Sequence, residues 1–573
     1  MDFQSEFHLA EAAATSGHPG DLLAVGFGTT VAMWAAAYVG HMPLVDLPPS
    51  VFVTLMLVCL VLGGWAVGRY TPRGISGGVA AGLISALLNL LILGSLLAEP
   101  GGGQVVPRAW LWVPGMLALS TLLSAAGALA GRTFLPLPDH EFRAAEDCLS
   151  PSPLAGATNL RSVPGGEGRV CEITARTSHR LETPHPNPLP QGERELIPKA
   201  ATLDSPESHQ PEKAFLLLPS DADWTAALAW VASAAALLLI LAGGLTTGFR
   251  AGMAVPDWPN SFGWNMFLFP FSRMTGGVFY EHAHRLFGTL VGAASLALAI
   301  YATATIRGRR RLIAFLWLLG AAVLVQGIMG GLRVTADSYV LAVIHGFFAH
   351  AILGGMVLVA VLLSPRWPAT GDWSIFRRED SVLPIDDGRK HGPGYPLGAF
   401  LVPAPGADRL LTGLVAGLVL VQTLLGVVLR QISLLLLTHV AIAVVAALAA
   451  LGTGMRAWGR NPALPSLRRT GLALMLVVLV QMTLGIVAVA VRTPRIDQSP
   501  SADALAAGGQ LPVAPLRALL TTAHQTNAAV LLGVGVVLAL WTWRQVPSAA
   551  ENRGGERAGR EASEAVRERV DQS

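Results

Sequence analysis

Twelve apolar runs, each long enough to cross a bilayer as a helix, limit what this chain can fold into. A hydrocarbon core about 30 Å thick needs roughly 20 residues at about 1.5 Å per residue. Four runs come first: Leu22–Val39, Val51–Val67, Gly77–Leu97 and Trp110–Ala130. Eight follow: Trp224–Leu245, Val278–Ile306, Leu312–Met329, Tyr339–Leu363, Leu410–Leu429, Ile432–Leu451, Leu472–Val491 and Leu519–Trp543. Main-chain polar groups in lipid must be satisfied within the segment, so runs of this length are helices. The expected fold class is an all-α polytopic membrane protein. Composition agrees: only 13% of the 573 residues are charged, against roughly 25% in soluble domains.

The spacing of the runs divides the chain. Residues 1–132 form a four-helix membrane module with no chemical constellation. Residues 133–222 are rich in Pro, Ser, Glu and Arg, as in Thr183 to Glu195, T-P-H-P-N-P-L-P-Q-G-E-R-E. This composition predicts a disordered cytoplasmic linker. Residues 223–545 hold the eight later helices, and 546–573 are a polar cytoplasmic tail. Met1 to Asp21 carries Asp2, Glu6 and Glu11 and no basic stretch, so neither a cleavable signal nor a transit peptide is expected. Arginine-rich loops at Arg307–Arg311, Arg366–Lys390 and Arg456–Arg469 follow the second, fourth and sixth helices of the later block. The positive-inside rule puts these loops and both termini in the cytoplasm. A bacterial cytoplasmic membrane is the expected location. The net charge of +3 says little, and no nucleic-acid partner is expected. Cys59, Cys148 and Cys171 are scattered, without metal-site spacing.

The later block repeats itself. Its odd-numbered helices end alike: G-G-L-T-T-G-F-R to Arg250, V-Q-G-I-M-G-G-L-R to Arg333, V-Q-T-L-L-G-V-V-L-R to Arg430 and V-Q-M-T-L-G-I-V-A-V-A-V-R to Arg492. Each even-numbered helix carries a histidine about two turns inside its outward end: His284, His345, His439 and His524. That depth is roughly 10 Å. A duplicated helical hairpin explains both series. The glycines permit close helix contact or close approach of a flat ligand.

Histidine pairs facing each other across a helical bundle suit axial ligation of haem iron. Zinc would favour a tighter set of three or four ligands. The expected pairs are His284 with His345 and His439 with His524, one haem per four-helix half. Arg250, Arg333, Arg430 and Arg492 lie on the outward side, against the positive-inside trend, and are candidate contacts for haem propionates. Snorkelling to lipid headgroups is the alternative for each. The stretch Tyr280 to Gly288, Y-E-H-A-H-R-L-F-G, places Glu281 three residues before His284, on the same helix face. No carboxylate stands three residues before His345, His439 or His524. His282 and His350 fall on other faces and read as packing or secondary polar residues. Arg285 has no role assigned by spacing.

These phrases, with G-G-L-T-T-G-F-R-A-G-M-A-V-P-D-W-P (Gly243 to Pro259), E-H-A-H-R (Glu281 to Arg285), Q-G-I-M-G-G-L-R-V, H-G-F-F-A-H, L-T-H and H-Q-T-N-A, resemble the haem A synthase family over about residues 224–545. The resemblance implies two pseudo-duplicated four-helix bundles and an oxidoreductase that converts the C8 methyl group of haem O to the formyl group of haem A. It implies that His284 and His345 hold the substrate haem O, that His439 and His524 hold a haem b cofactor, and that Glu281 is the catalytic carboxylate. The loop Ala251–Gly263 is expected to cap the first haem. Trp258 and Trp264 serve there or as interfacial anchors. Expected partners are a haem O synthase, cytochrome oxidase assembly factors, a membrane electron acceptor and a second copy of the chain in a homo-oligomer. The first four helices and the linker have no counterpart in the resemblance. Some family members carry a cysteine pair in an outward loop, and this chain has none there. Two rival classes remain: a dihaem b-type cytochrome serving electron transfer only, and a transporter with a proton-relay glutamate.

Overall fold

The computed structural model describes residues 19–42, 45, 47–99, 107, 109–133, 221–365, 367, 407–460, 464–491 and 514–546. Among these residues twelve helices are long and apolar enough to cross a membrane. The chain is a multi-pass helical membrane protein. The expected linker, the C-terminal tail, Arg492, Cys148 and Cys171 lie outside the described residues. The twelve described helices belong to one compact unit.

The first four helices are α1 (Pro19–Gly40), α2 (Pro49–Tyr70), α3 (Gly74–Leu97) and α4 (Ala109–Thr133). Glycines let α2 and α4 touch backbone to backbone: a Cβ on Gly64 or Gly68 would run into the main chain of Ser124 or Ala128. Such small-residue seams replace the hydrophobic effect, which gives helices no reason to associate in lipid. Inside the module Trp34 Nε1 donates to Asn89 Oδ1 (2.8 Å) and Thr30 Oγ1 to Ser85 Oγ (3.0 Å).

The later helices are α5 (Asp221–Gly248), α6 (Gly276–Thr305), α7 (Arg310–Thr335), α8 (Tyr339–Leu363), α9 (Ala407–Ile432), α10 (Leu436–Arg460), α11 (Pro465–Ala490) and α12 (Pro515–Gln545). Helices α5 to α8 pack in sequence order and close as α8 meets α5. Helices α9 to α12 do the same, closing as α12 meets α9. The two four-helix halves join through α8 against α9, α12 against α5, and α8 against α12. Exchanging the halves maps this set of contacts onto itself, as an internal duplication requires.

The long loop between α5 and α6 is built. It carries a two-stranded antiparallel ribbon, β1 (Asn260–Ser261) with β2 (Trp264–Asn265), and two single turns of 3₁₀ helix, Met266–Leu268 and Phe271–Arg273. The ribbon is the one strand pair assigned among the described residues. One helix boundary differs from the sequence expectation. The apolar run Ile432–Leu451 hides a turn: α9 continues to Ile432, and Ser433 to Leu435 reverse the chain before α10 starts at Leu436. Ser433 and Leu435 hold φ of 58° and 65° there, with no Gly or Pro to mark the turn.

Candidate functional site: two histidine pairs across the bundles

Each of the four histidines rests on a glycine of the preceding helix. A Cβ on Gly243 would come within 2.8 Å of His284 Cε1, and one on Gly330 within 2.8 Å of His345 Cε1. The matching approaches are 3.3 Å for Gly426 to His439 and 3.1 Å for Gly485 to His524. The repeated glycines therefore make room for imidazole rings, and they do so once per hairpin. They also define the register better than the helix starts do. His439 comes three residues after the first residue of α10 and His524 nine after that of α12, yet both stand opposite the equivalent glycine.

The hairpins bring the expected histidines together in pairs. The ring centroids of His284 and His345 are 6.4 Å apart at 72°, and those of His439 and His524 are 6.4 Å apart at 80°. One pair lies in each half. The four ligand candidates are half-buried, whereas His282 and His350 are sealed, at 0% and 1% exposure. His282 Nδ1 lies 3.1 Å from Ser261 Oγ, and its ring packs 5.0 Å from Phe269. His350 Nδ1 lies 2.8 Å from the Gly346 carbonyl. Both serve packing in the positions the sequence suggests.

The donor set fits haem. Two iron–imidazole bonds of about 2.0 Å, with the half-width of each ring, span roughly 6 Å between ring centres, which matches both pairs. Two facing nitrogens are too few for structural zinc, and no group of three or more His, Cys, Asp or Glu is placed to hold a metal ion among the described residues. The imidazoles of His284, His345 and His524 lie against the main chain of Leu239, Gln326 and Gln481 on the preceding helices. The residue four after each histidine is Gly288, Ala349, Ala443 or Ala528, small in every case. Beside Gly288 and Gly327 there is open space where a side chain would project. His284, His345, His439 and His524 are thus the residues that would hold two haems.

A glutamine accompanies three of the four histidines. Gln326 Nε2 donates to the His345 carbonyl (2.9 Å), and Gln422 Nε2 to the His439 carbonyl (2.7 Å). Gln422 Nε2 also lies 3.0 Å from His439 Nδ1, and Gln481 Nε2 lies 3.4 Å from His524 Nε2. Gln481 is itself oriented by Asn527, which donates to its Oε1 at 2.8 Å. The recurring V-Q, four residues before each of these glycines, was the signal for this set. The first hairpin has Leu239 at that position.

The first site differs from the second through Glu281 and Arg285. Glu281 is 3% exposed. Its Oε1 pairs with Arg285 (2.9 Å), and its Oε2 accepts the Val255 N–H (2.8 Å). Arg285 goes on to donate to the carbonyls of Asp257 (2.7 Å), Asn260 (2.9 Å) and Val255 (2.8 Å). The glutamate and arginine together bind the loop between α5 and α6. That loop also crosses to α7: Trp258 packs on Gly331, and Arg333 donates to the Gly252 carbonyl at 2.8 Å. Arg333 stands within electrostatic reach of His284, His345 and Glu281. Trp264 lies under the Arg273 guanidinium at 4.8 Å. Asp257 shapes the loop from within: burial pushes its carboxyl up, and the Gly263 and Phe262 N–H donors outweigh that and hold it below the usual range.

The helix-end arginines are not equivalent. Arg430 donates to the Thr521 carbonyl (3.0 Å) and the Gly244 carbonyl (2.5 Å), tying α9 to α12 and α5 across the seam between halves. Arg250 is exposed and caps α5 in the left-handed region, φ 55°, a position glycine usually fills. No family profile, no curated protein and no solved structure matches this chain.

Proposed function

We propose that the protein is a haem A synthase that oxidises the C8 methyl group of haem O to a formyl group, with a second haem b assisting. The observation that carries this reading is the two equal histidine pairs, of which, among the described residues, only the first is accompanied by a buried carboxylate, Glu281. Haem iron would supply the redox chemistry. His284 and His345 would hold the substrate haem, and His439 and His524 the haem b. Arg333 and Arg430 carry charge at the outward ends of these sites, as propionates would require; Arg250 and Arg492 are weaker candidates for that contact. Glu281 would accept or return a proton at its Oε1 or Oε2, with Arg285 and the Val255 N–H fixing its orientation. The loop over the site would shield it from bulk solvent; the balance of the reaction needs one water as the source of the formyl oxygen, with four electrons passed to the acceptor.

A dihaem b-type cytochrome, serving electron transfer alone, is the second reading. It draws on the same ion pair: a Glu281 fully engaged by Arg285 and Val255 is also what a purely structural carboxylate looks like. Under the synthase reading the protein belongs in a bacterial cytoplasmic membrane with both termini inside. It would receive haem O from a haem O synthase, pass electrons to a membrane acceptor, and deliver product to cytochrome oxidase assembly factors. The deciding experiment is expression beside a haem O synthase, followed by pigment extraction. Haem A in the extract supports the synthase; haem O and haem b without haem A would reject it in favour of the cytochrome.

A further inference from the structure

The N-terminal module touches the later helices through α1 and α3, on the side of the first histidine pair. Helix α1 lies along α5 and reaches α6. Tyr38 stacks on Phe279 (5.4 Å, 13°), and Trp34 meets Phe287 edge-on at 5.7 Å. Helix α3 reaches the loop between α5 and α6 itself. Ser95 Oγ donates to the Phe267 carbonyl at 3.2 Å, and Gly94 lies so close to that carbonyl that a Cβ would collide with it. His41, just past α1, meets Phe271 edge-on at 4.9 Å. Phe267 and Phe271 belong to the two 3₁₀ turns of the loop. The loop is thus gripped from two sides, by Ser95, Gly94 and His41 on one and by Glu281, Arg285 and Arg333 on the other. Among the described residues the N-terminal helices meet α5, α6 and the loop, and the matching helices of the second half are less buried. Helix α6 has 56% of its spanning window buried and its repeat partner α10 22%; α5 has 50% and its partner α9 28%.

We infer that the N-terminal four-helix module is a working wall of the first site: it holds the loop between α5 and α6 closed over the His284–His345 pair and has no such hold on the His439–His524 pair. Its meaning for catalysis rests on the synthase reading; the mechanical claim does not. A stacked aromatic pair and a single hydrogen bond are individually weak contacts, which tune a loop without deciding whether the chain folds.

The test is hydrogen–deuterium exchange on the purified full chain, comparing wild type with Gly94→Val, with the milder pair Tyr38→Ala and Ser95→Ala, and with Gly115→Val. Gly115 has open space beside it, so that variant controls for a changed module surface. The expected result is exchange at the Val255, Phe262 and Gly263 amides at least about tenfold faster in Gly94→Val, with the ends of α10 and α12 unchanged. In haem-loaded protein the spectral signature of the first pair should change and that of the second persist. Unaltered exchange in the loop would overturn the inference. So would an equal rise across α9 to α12, which would make the module a general folding aid. If Gly94→Val does not fold, Tyr38→Ala with Ser95→Ala gives the same comparison. A wild-type chain that takes up no haem would sink the synthase reading, while the exchange data still decide this one.

Discussion

Glu281 and Arg285 form a buried ion pair that ties one turn of α6 to the main chain of the loop above it. Removing one member of such a pair strands the other, at a cost of about 3–5 kcal/mol. Arg285→Ala should therefore lower thermal stability and speed proteolysis within residues 251–263. Arg285→Lys keeps the charge but loses the fork that reaches several acceptors, and should fall between. Glu281→Gln is the sharper variant, because it keeps the shape and the acceptor for Val255. Under the synthase reading it leaves haem bound and lowers haem A yield by about 100-fold or more. Normal haem A in that variant would remove Glu281 from the chemistry. Asp257 adds a pH dependence. Its carboxyl is held below its ordinary value, so its contribution to the loop is complete above the unfolded value of about 3.9 and is lost as pH falls through the lower folded value. The protection of the Phe262 and Gly263 amides, taken as exchange relative to the intrinsic rate at each pH, should hold from about pH 8 to about 5 and fall only below about 4.

At the scale of helices, the unit is a hairpin whose first helix offers a glycine and whose second lays an imidazole on it. The consequence can be tested one hairpin at a time. Gly330→Ala puts a methyl 2.8 Å from His345 Cε1, tighter than ordinary contact, whereas Gly426→Ala leaves 3.3 Å to His439. A ring pushed off its glycine loses its aim at the partner imidazole. Gly330→Ala should thus disturb the haem signal of the first pair more than Gly426→Ala disturbs that of the second, measured by optical and electron paramagnetic resonance spectra. The reverse order would show that the glycine contact does not set ring orientation.

For the whole molecule, two bundles with the same order of helix contacts need not react alike. Two pairs at one separation predict two haems per chain. His439→Ala should remove one and leave the other, measured as haem per protein by pyridine haemochrome assay. The difference between the halves comes from what surrounds them: the Glu281–Arg285 pair, the folded loop and the N-terminal helices all gather at the first pair. A stoichiometry of one haem in the wild-type chain would contradict the duplicated-site reading.

The run lengths by themselves determined the membrane class and the number of helices, because lipid allows a long apolar segment no structure other than a helix. The repeat, the four histidines and the lone carboxylate were legible for a similar reason: duplication writes the same spacing into each hairpin. The turn at Ser433–Leu435 was not legible, since it interrupts an apolar run without a breaker residue. The glutamines beside the histidines were visible as a motif but had no role until their carbonyl partners were in place. Tertiary structure alone decided what Arg285 does, since its acceptors Val255, Asp257 and Asn260 lie 25 to 30 residues away. It also decided where the N-terminal helices go. Packing between helices in lipid depends on close contact of small and aromatic side chains, such as Gly94 on Phe267 or Tyr38 on Phe279. Such contacts have no period along the chain, so nothing short of the folded arrangement reveals them.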